Sequence, residues 1–140
     1  MKIKLLLLIS LSFFFSNKIF AQDDWILTGY SSSEKPYYVS STMVEKEGEI
    51  ITVWVKTTSR KKTISKKTRK VLYSNSENKI LYEFDCSGKK LKIKYGITYN
   101  SKGESISSYK PEEYEQNWEY AVPGSVGSNL LDKVCELYNN

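Results

Sequence analysis

Three segments of this 140-residue chain alternate apolar and polar residues with a period of two, and this alternation constrains the fold more than any other feature. They are "EIITVWVKTT" (49–58), "KILYEFDC" (79–86) and "KLKIKYGITY" (90–99). Because successive side chains of a β-strand point to opposite faces, this period is typical of strands that bury one face only. β-branched and aromatic residues dominate the first segment, as a pleated surface favours. The alternation predicts an antiparallel sheet with one buried face.

The last of these segments predicts the cleanest half-buried strand. Its apolar positions share one face, and they are Leu91, Ile93, Tyr95, Ile97 and Tyr99. Lys90, Lys92 and Lys94 take the other face, and Gly96 predicts a bulge or bend late in the strand. Weaker patterns predict short strands at 25–30, 37–40, 70–74 and 104–109, with polar turns at 45–48 and 75–78.

A helix is predicted near the carboxyl end, after the Pro123-Gly124 pair. Ser125 is a natural N-cap for it. Apolar residues then recur at helical spacing, at Leu130, Leu131, Val134, Cys135 and Tyr138. Strands followed by one helix indicate an α+β fold, a single antiparallel sheet with a C-terminal helix packed on one face.

The amino terminus has the layout of a secretory signal peptide. A basic start is followed by an apolar run that is short for a bilayer span, and we expect cleavage after Ala21. The prediction is therefore a signal peptide at 1–21 and one domain at 22–140. The removed segment contains Lys2, Lys4, Lys18 and no acid, so 21 basic and 16 acidic residues become 18 and 16. The net charge falls from +5 to +2, and electrostatic arguments must rest on local clusters.

Two cysteines, Cys86 and Cys135, remain in a chain that we expect to reach an oxidising compartment. Both fall on the apolar face of their segment, one on a predicted strand and one on the predicted helix. A single disulfide between them is the expected outcome. It would close a loop of about fifty residues and contribute roughly 4 kcal/mol in the chain-entropy model.

The stretch "SRKKTISKKTRK" (59–70) is the strongest local concentration of charge, and we expect it to be a connection between two strands. A candidate polyanion-binding loop follows from it, formed by Arg60, Lys61, Lys62, Lys66, Lys67, Arg69 and Lys70. The ordinary alternative is a solvated loop whose charge discourages edge-to-edge aggregation. No aromatic residue interleaves with these cations, so specific nucleic-acid binding is not expected.

The composition argues against an enzyme. The chain has no histidine, the most frequent general base near neutral pH, and its cysteines are assigned to a disulfide. No glycine-rich phosphate loop and no metal-ligand spacing occur, so neither a metal nor a cofactor is predicted. Eleven tyrosines and three tryptophans suit cross-strand pairs, and they leave stacking against a sugar or haem as an alternative.

Several of these segments resemble the bacterial surface-adhesin E family. The matching residues are Trp25, Tyr38, "ITVWV" (51–55), "LYEFDC" (81–86) and "VPGSVGSNLLDKVC" (122–135). The resemblance covers essentially the whole mature chain. It departs from the family pattern at Ser40, where an aspartate is expected, and at the cleavage site, where a lipid-anchored member has a cysteine.

The resemblance implies a six-stranded antiparallel sheet with a C-terminal helix tied to it by the cysteines. It also implies an exported, non-catalytic adhesin for matrix and serum proteins such as vitronectin, laminin and plasminogen. The partners expected are such proteins or polyanions, without a transmembrane segment, and the location is the periplasm, the cell surface or the medium. A periplasmic binding module or enzyme inhibitor, and haem binding, are the alternatives. The oligomeric state stays open.

Overall fold

The structure, a computed structural model, describes residues 24–139, so the predicted signal peptide (1–21) lies outside the described residues. The elements are β1 (Trp25–Tyr30), β2 (Pro36–Glu47), β3 (Ile50–Ile64), β4 (Val71–Asp85), β5 (Lys90–Asn100), β6 (Ser105–Tyr109), a short 3-10 helix (Glu113–Glu115), β7 (Glu119–Tyr120) and α1 (Val126–Tyr138). Strands β1 to β6 pair antiparallel in chain order, and the two-residue β7 pairs with β5. This arrangement confirms the predicted α+β fold, with six main strands and one C-terminal helix.

Helix α1 packs against one face of the sheet and closes the core. The buried side chains of the sheet are Val39, Ile51, Val53, Val55, Phe84 and Cys86, and those of the helix are Leu130, Leu131 and Val134. Ser125 is the N-cap as predicted, since its Oγ accepts a hydrogen bond of 3.2 Å from the Ser128 N–H. Ile51, Val53 and Val55 share the face of β3 that α1 covers, in agreement with the period of two in this segment.

The Cys86–Cys135 disulfide is formed, and its Cα atoms lie 5.7 Å apart. It joins the end of β4 to the last turns of α1, across 49 positions of sequence. The bond thus fastens the helix to the sheet at one end of the core, as the sequence predicts.

The predicted turn at 75–78 is wrong, and the predicted connection at 59–70 is confined to residues 65–70. Strand β3 continues to Ile64 and β4 begins at Val71, so the basic stretch belongs to one long hairpin. Of the seven candidate residues, Arg60, Lys61 and Lys62 lie in β3, whereas Lys66, Lys67, Arg69 and Lys70 lie in the turn between β3 and β4. Continuous backbone pairing with β4 orders a segment that lacks apolar alternation.

The far part of this hairpin projects beyond the rest of the sheet. Pairing of β3 with β2 stops at Thr57, and pairing of β4 with β5 stops at Ser76. The five pairs from Arg60↔Asn75 to Ile64↔Val71 therefore have no neighbouring strand among residues 24–139. We call residues 60–75 the arm.

A bulge in β5 changes which residues share a face. The pairing passes from Tyr82↔Ile93 to Leu81↔Tyr95, so Lys94 is the extra residue. One extra residue reverses the alternation beyond it. The prediction that Leu91 through Tyr99 share one face therefore fails after Ile93, and the bulge lies two residues before the predicted Gly96.

Candidate functional site

The face of the sheet opposite α1 is not covered by that helix, and we call it the open face. Val53 and Val55 point into the core, so the intervening Trp54 and the following Lys56 point to the open face. The rings of Trp25, Tyr38, Trp54, Tyr95, Tyr99 and Trp118 all lie within about 6 Å of a cation or a second ring, and they remain half-exposed. An exposed aromatic face of this kind is typical of a binding surface.

One end of the open face holds a compact ion cluster. Glu83 accepts Lys92 Nζ at 2.7 Å and Lys94 Nζ at 3.3 Å, and only 17% of its side chain is exposed. Burial raises the pKa of Glu83, but the hydrogen bonds and charges of the two lysines outweigh it, so the pKa lies below its ordinary value. The Lys92 ammonium also lies 4.6 Å from the ring centroid of Trp118. One carboxylate therefore serves two lysines, and these three side chains carry a net charge of +1.

The middle of the open face is aromatic. Trp54 and Tyr95 meet edge to face, with ring centroids 6.0 Å apart and an angle of 83° between the rings. Tyr95 reaches Trp54 because the Lys94 bulge turns its side chain to this face. A bulge in β5 thus builds part of the candidate site.

At the other end of the open face, two lysines of neighbouring strands face each other. Lys56 and Lys79 are directly opposite each other across β3 and β4, and we call them the cation pair. The Lys56 Nζ lies 4.4 Å from the ring centroid of Trp25 and 5.3 Å from that of Tyr38. The Lys79 Nζ lies 5.4 Å from the same Trp25 centroid and 5.5 Å from that of Tyr99. Two cations therefore share one indole ring.

Within the described residues, a carboxylate reaches only one member of the cation pair. Lys79 lies 3.6 Å from a Glu77 oxygen, and no salt bridge reaches Lys56 from the described residues. Like charges that face each other across a strand pair are unfavourable. The rings reduce this repulsion, since a cation over an aromatic face is attracted by about 1 kcal/mol. The pair is chemically suited to bind a carboxylate or another anion.

A groove of about 990 Å³ continues from the cation pair to the base of the arm. Its walls come from the β1–β2 turn, from the adjoining parts of β3 and β4, and from the β5–β6 turn. Both charge signs line it, with Lys35, Arg60 and Lys79 against Glu34 and Glu77. The groove is open and lined by both polar and apolar groups, which suits an extended segment of another macromolecule better than a small apolar ligand.

Pairing within the arm brings a cation of the basic stretch into contact with an aromatic ring outside that stretch. The Arg60 guanidinium carbon lies 4.0 Å from the ring centroid of Tyr73, a partner that lies outside the basic stretch. Lys92 and Lys94, by contrast, bind Glu83, which pairs with Thr52, eight residues before Arg60 on β3. That separation is about 26 Å along the strand. These two lysines do not extend the basic patch of the arm.

Sequence reasoning missed the cation pair as a site. The period of two in 49–58 places Lys56 and Trp54 on the polar face of their strand, and the structure confirms this placement. The opposite position of Lys79 depends on the register between β3 and β4, which no local pattern reports. If the chain between Lys56 and Lys79 is assumed to form one uninterrupted hairpin with strands of equal length, these two residues lie opposite each other. That assumption was the only sequence route to the pair.

Residues 24–139 contain neither a cluster suited to a metal ion nor a helix suited to cross a membrane. Between residues 24 and 139, His, Cys, Asp and Glu side chains form no group of three that is placed to hold a metal ion. Within the same residues, no helix has the length and apolar character needed to cross a bilayer.

The comparisons with known proteins identify the family. The family model described as surface-adhesin protein E matches residues 25–136, which is most of the chain. A solved structure, titled "The structure of Haemophilus influenzae protein E", has a similar fold, with a TM-score of 0.56 and 14% sequence identity over 81% of this chain and 85% of that chain. A search of curated proteins found no match to this sequence. This chain belongs to the surface-adhesin protein E family of exported binding proteins.

Proposed function

We propose that this protein is an adhesin on the cell surface that binds host or environmental proteins through the open face of its sheet. The observation that carries the proposal is the cation pair, in which Lys56 and Lys79 face each other beside one tryptophan ring. Family membership supports binding rather than catalysis as the activity. The aromatic rings and the wide groove support a macromolecular partner.

The chemistry of the cation pair favours a partner that presents carboxylates. A carboxylate between the two ammonium groups would replace a repulsion with two charge-assisted hydrogen bonds. The half-buried Trp25 ring lowers the local exposure to water, and charge interactions are stronger where water is partly excluded. Acidic segments of matrix or serum-type proteins are the partners that this surface suits best.

Direct binding to purified protein tests the proposal. Vitronectin, laminin and plasminogen are immobilised as probes, and the wild type is compared with the Lys56→Met/Lys79→Met variant, since methionine keeps the apolar stem without the charge. We expect the variant to lose affinity about tenfold or more for each probe that the wild type binds. Raising the salt concentration weakens binding of the wild type in the same direction.

A charge-matched control separates the open face from a general effect of net charge. Lys89 and Lys133 lie on the helix side, where they contact Asp132 and Glu136 at 3.5 and 3.0 Å. The Lys89→Met/Lys133→Met variant removes the same charge and is expected to bind like the wild type. Equal loss in both variants, or no loss in the first, contradicts a site at the open face.

The cell surface is the compartment that fits this function, and accessibility to protease tests it. We expect protease added to intact cells to degrade the protein, while a periplasmic marker survives. Complete protection on intact cells, with degradation after the outer membrane is opened, contradicts a surface adhesin. That result would instead favour the periplasmic binding module.

A further inference from the structure

The arm combines positive charge with exposed aliphatic side chains. Residues 60–75 contain seven Lys or Arg residues and no Asp or Glu. Four apolar or aromatic side chains of the arm are largely exposed, with relative exposures of 60% for Ile64, 45% for Val71, 54% for Leu72 and 54% for Tyr73. Large apolar side chains clustered on an exposed projection indicate a contact surface.

The pairing of the arm places these apolar side chains next to its tip. Ile64 pairs with Val71 in the last pair before the turn, and Leu72 is in the pair before it, opposite Thr63. Alternation puts Ile64, Val71 and Tyr73 on one face of the arm, with Leu72 on the other. The apolar residues therefore surround the end of the arm rather than covering one side of it.

The turn beyond them presents cations from an ordered backbone. The Ser65 N–H donates to the Lys70 carbonyl at 3.0 Å, and the Arg69 N–H donates to the Ser65 carbonyl at 2.8 Å. Lys66 and Lys67 lie inside this turn and are exposed. Cations next to exposed apolar residues suit a membrane surface, because long lysine side chains can reach back to the headgroups while the apolar side chains enter the boundary with the acyl chains.

We propose that the tip of the arm binds the surface of an anionic phospholipid bilayer. Lys66, Lys67 and their neighbours in the turn contact lipid phosphates, and the side chains of Ile64, Val71 and Leu72 enter the boundary between headgroups and acyl chains. Charge complementarity alone also fits a polyanionic polysaccharide, but such a ligand gives the three exposed aliphatic side chains no apolar partner. The lipid surface accounts for both the charge and the apolar side chains.

This site is separate from the open face and does not rest on the proposed function. Ile64 lies eight residues after Lys56 on β3, which is about 26 Å along the strand. The arm projects past β2 and β5, so its tip can touch a flat surface while the sheet stays outside the bilayer. Failure at one site leaves the other unaffected.

Sedimentation with vesicles tests the proposal, using purified protein and vesicles of phosphatidylcholine alone or with one third phosphatidylglycerol. We expect the wild type to sediment with the anionic vesicles and to stay in solution with the neutral ones. The Lys61→Ala/Lys62→Ala/Lys66→Ala/Lys67→Ala variant is expected to lose partitioning on the order of a hundredfold, because each cation near an anionic surface contributes strongly to binding.

A second variant tests the apolar part without changing charge. Ile64→Thr/Val71→Thr/Leu72→Thr introduces β-branched residues that suit a strand, so the arm keeps its pairing. We expect it to lose vesicle partitioning tenfold or more while its elution from a heparin column matches that of the wild type. The Lys89→Met/Lys133→Met variant is the control and should partition like the wild type, and circular dichroism checks that each variant is folded.

Three results would overturn the proposal. Equal binding to neutral and anionic vesicles would remove the role of charge. Full partitioning of the threonine variant would remove the role of the apolar side chains. Retention of the wild type on heparin without sedimentation with anionic vesicles would assign the arm to a polysaccharide instead.

Discussion

Ser40 links an irregular strand to the helix that covers the sheet. Its side chain is fully buried, and its Oγ accepts the Met43 N–H at 3.0 Å and the Thr42 N–H at 3.4 Å. Its carbonyl accepts the Tyr138 hydroxyl at 2.8 Å. The pairing of β2 with β3 is interrupted just here, between Val39 and Val44. A small polar residue therefore satisfies the backbone of the bulge where the family pattern leads us to expect an aspartate, whose carboxylate has the same accepting role.

Replacing Tyr138 by phenylalanine tests this link. The Ser40 carbonyl would lose its hydroxyl donor at a buried position, so Tyr138→Phe should lower the free energy of unfolding by about 1 kcal/mol. Urea denaturation measures the difference. Tyr114→Phe is the matched control, because Tyr114 is 77% exposed. Equal stability of both variants would show that the hydroxyl does not hold the helix end.

Glu83 makes stability depend on pH. Its pKa lies below the ordinary value, so its interactions with Lys92 and Lys94 stabilise the fold above the unfolded pKa of about 4.3 and are lost as the pH falls through the folded value. Glu83→Gln should lower the free energy of unfolding by about 2 kcal/mol at pH 7. The difference from the wild type should shrink towards pH 3.

Unfolding curves at pH 7 and pH 3 measure this dependence. Asp85 also has a lowered pKa, through hydrogen bonds from the Gly88 N–H and the Ser87 hydroxyl, and it contributes equally to both proteins. Glu45→Gln, at an exposed carboxylate of β2, is the control. A difference between wild type and Glu83→Gln that is the same at both pH values would contradict the role of the carboxylate charge.

At the scale of elements, the disulfide connects β4 to α1. The Cys86→Ser/Cys135→Ser variant should lose about 4 kcal/mol of stability, because the unfolded chain gains the freedom of a loop of about fifty residues. For a domain of this size the melting temperature falls by roughly 15 °C. Hydrogen exchange should show faster opening of α1 than of the central strands. An unchanged melting temperature would refute the stabilising role of the bond.

The arm is an element that we expect to contribute little to the stability of the core. Apart from the half-buried Ser65, its side chains are exposed, and none of them belongs to the buried cluster. The Lys61→Ala/Lys62→Ala/Lys66→Ala/Lys67→Ala variant should therefore melt within about 2 °C of the wild type, since surface substitutions change stability by roughly 0.5 kcal/mol or less. Calorimetry checks this. A fall of 10 °C would mean that the arm packs on the rest of the fold.

The elements with one buried face could be predicted from sequence, and the others could not. Strands around Val53 and Phe84 and the helix around Leu131 carry an apolar period, because each packs against the core. Residues 60–64 are exposed on both faces, so no apolar period marks them as strand, and pairing with β4 orders them instead. The Lys94 bulge and the position of Lys79 opposite Lys56 depend on register, which is a property of two strands together.

The whole molecule is a sheet with one face covered and one face open. The helix, the buried aliphatic side chains and the disulfide all lie on one side. The rigid sheet therefore holds the rings and lysines of the other side at fixed positions, which lowers the entropy lost when a partner binds. Separation of the core from the binding surface lets substitutions at Lys56 and Lys79 change affinity with little effect on folding.

Binding of labelled vitronectin, laminin and plasminogen to intact cells tests the role of the open face most directly. Cells that make the wild type are compared with cells that make equal amounts of the Lys56→Met/Lys79→Met or the Lys89→Met/Lys133→Met variant. We expect the first variant to bind each recognised protein about tenfold less than the wild type, and the second to bind it equally well. Equal binding by cells making the wild type and the Lys56→Met/Lys79→Met variant would contradict adhesion through the open face.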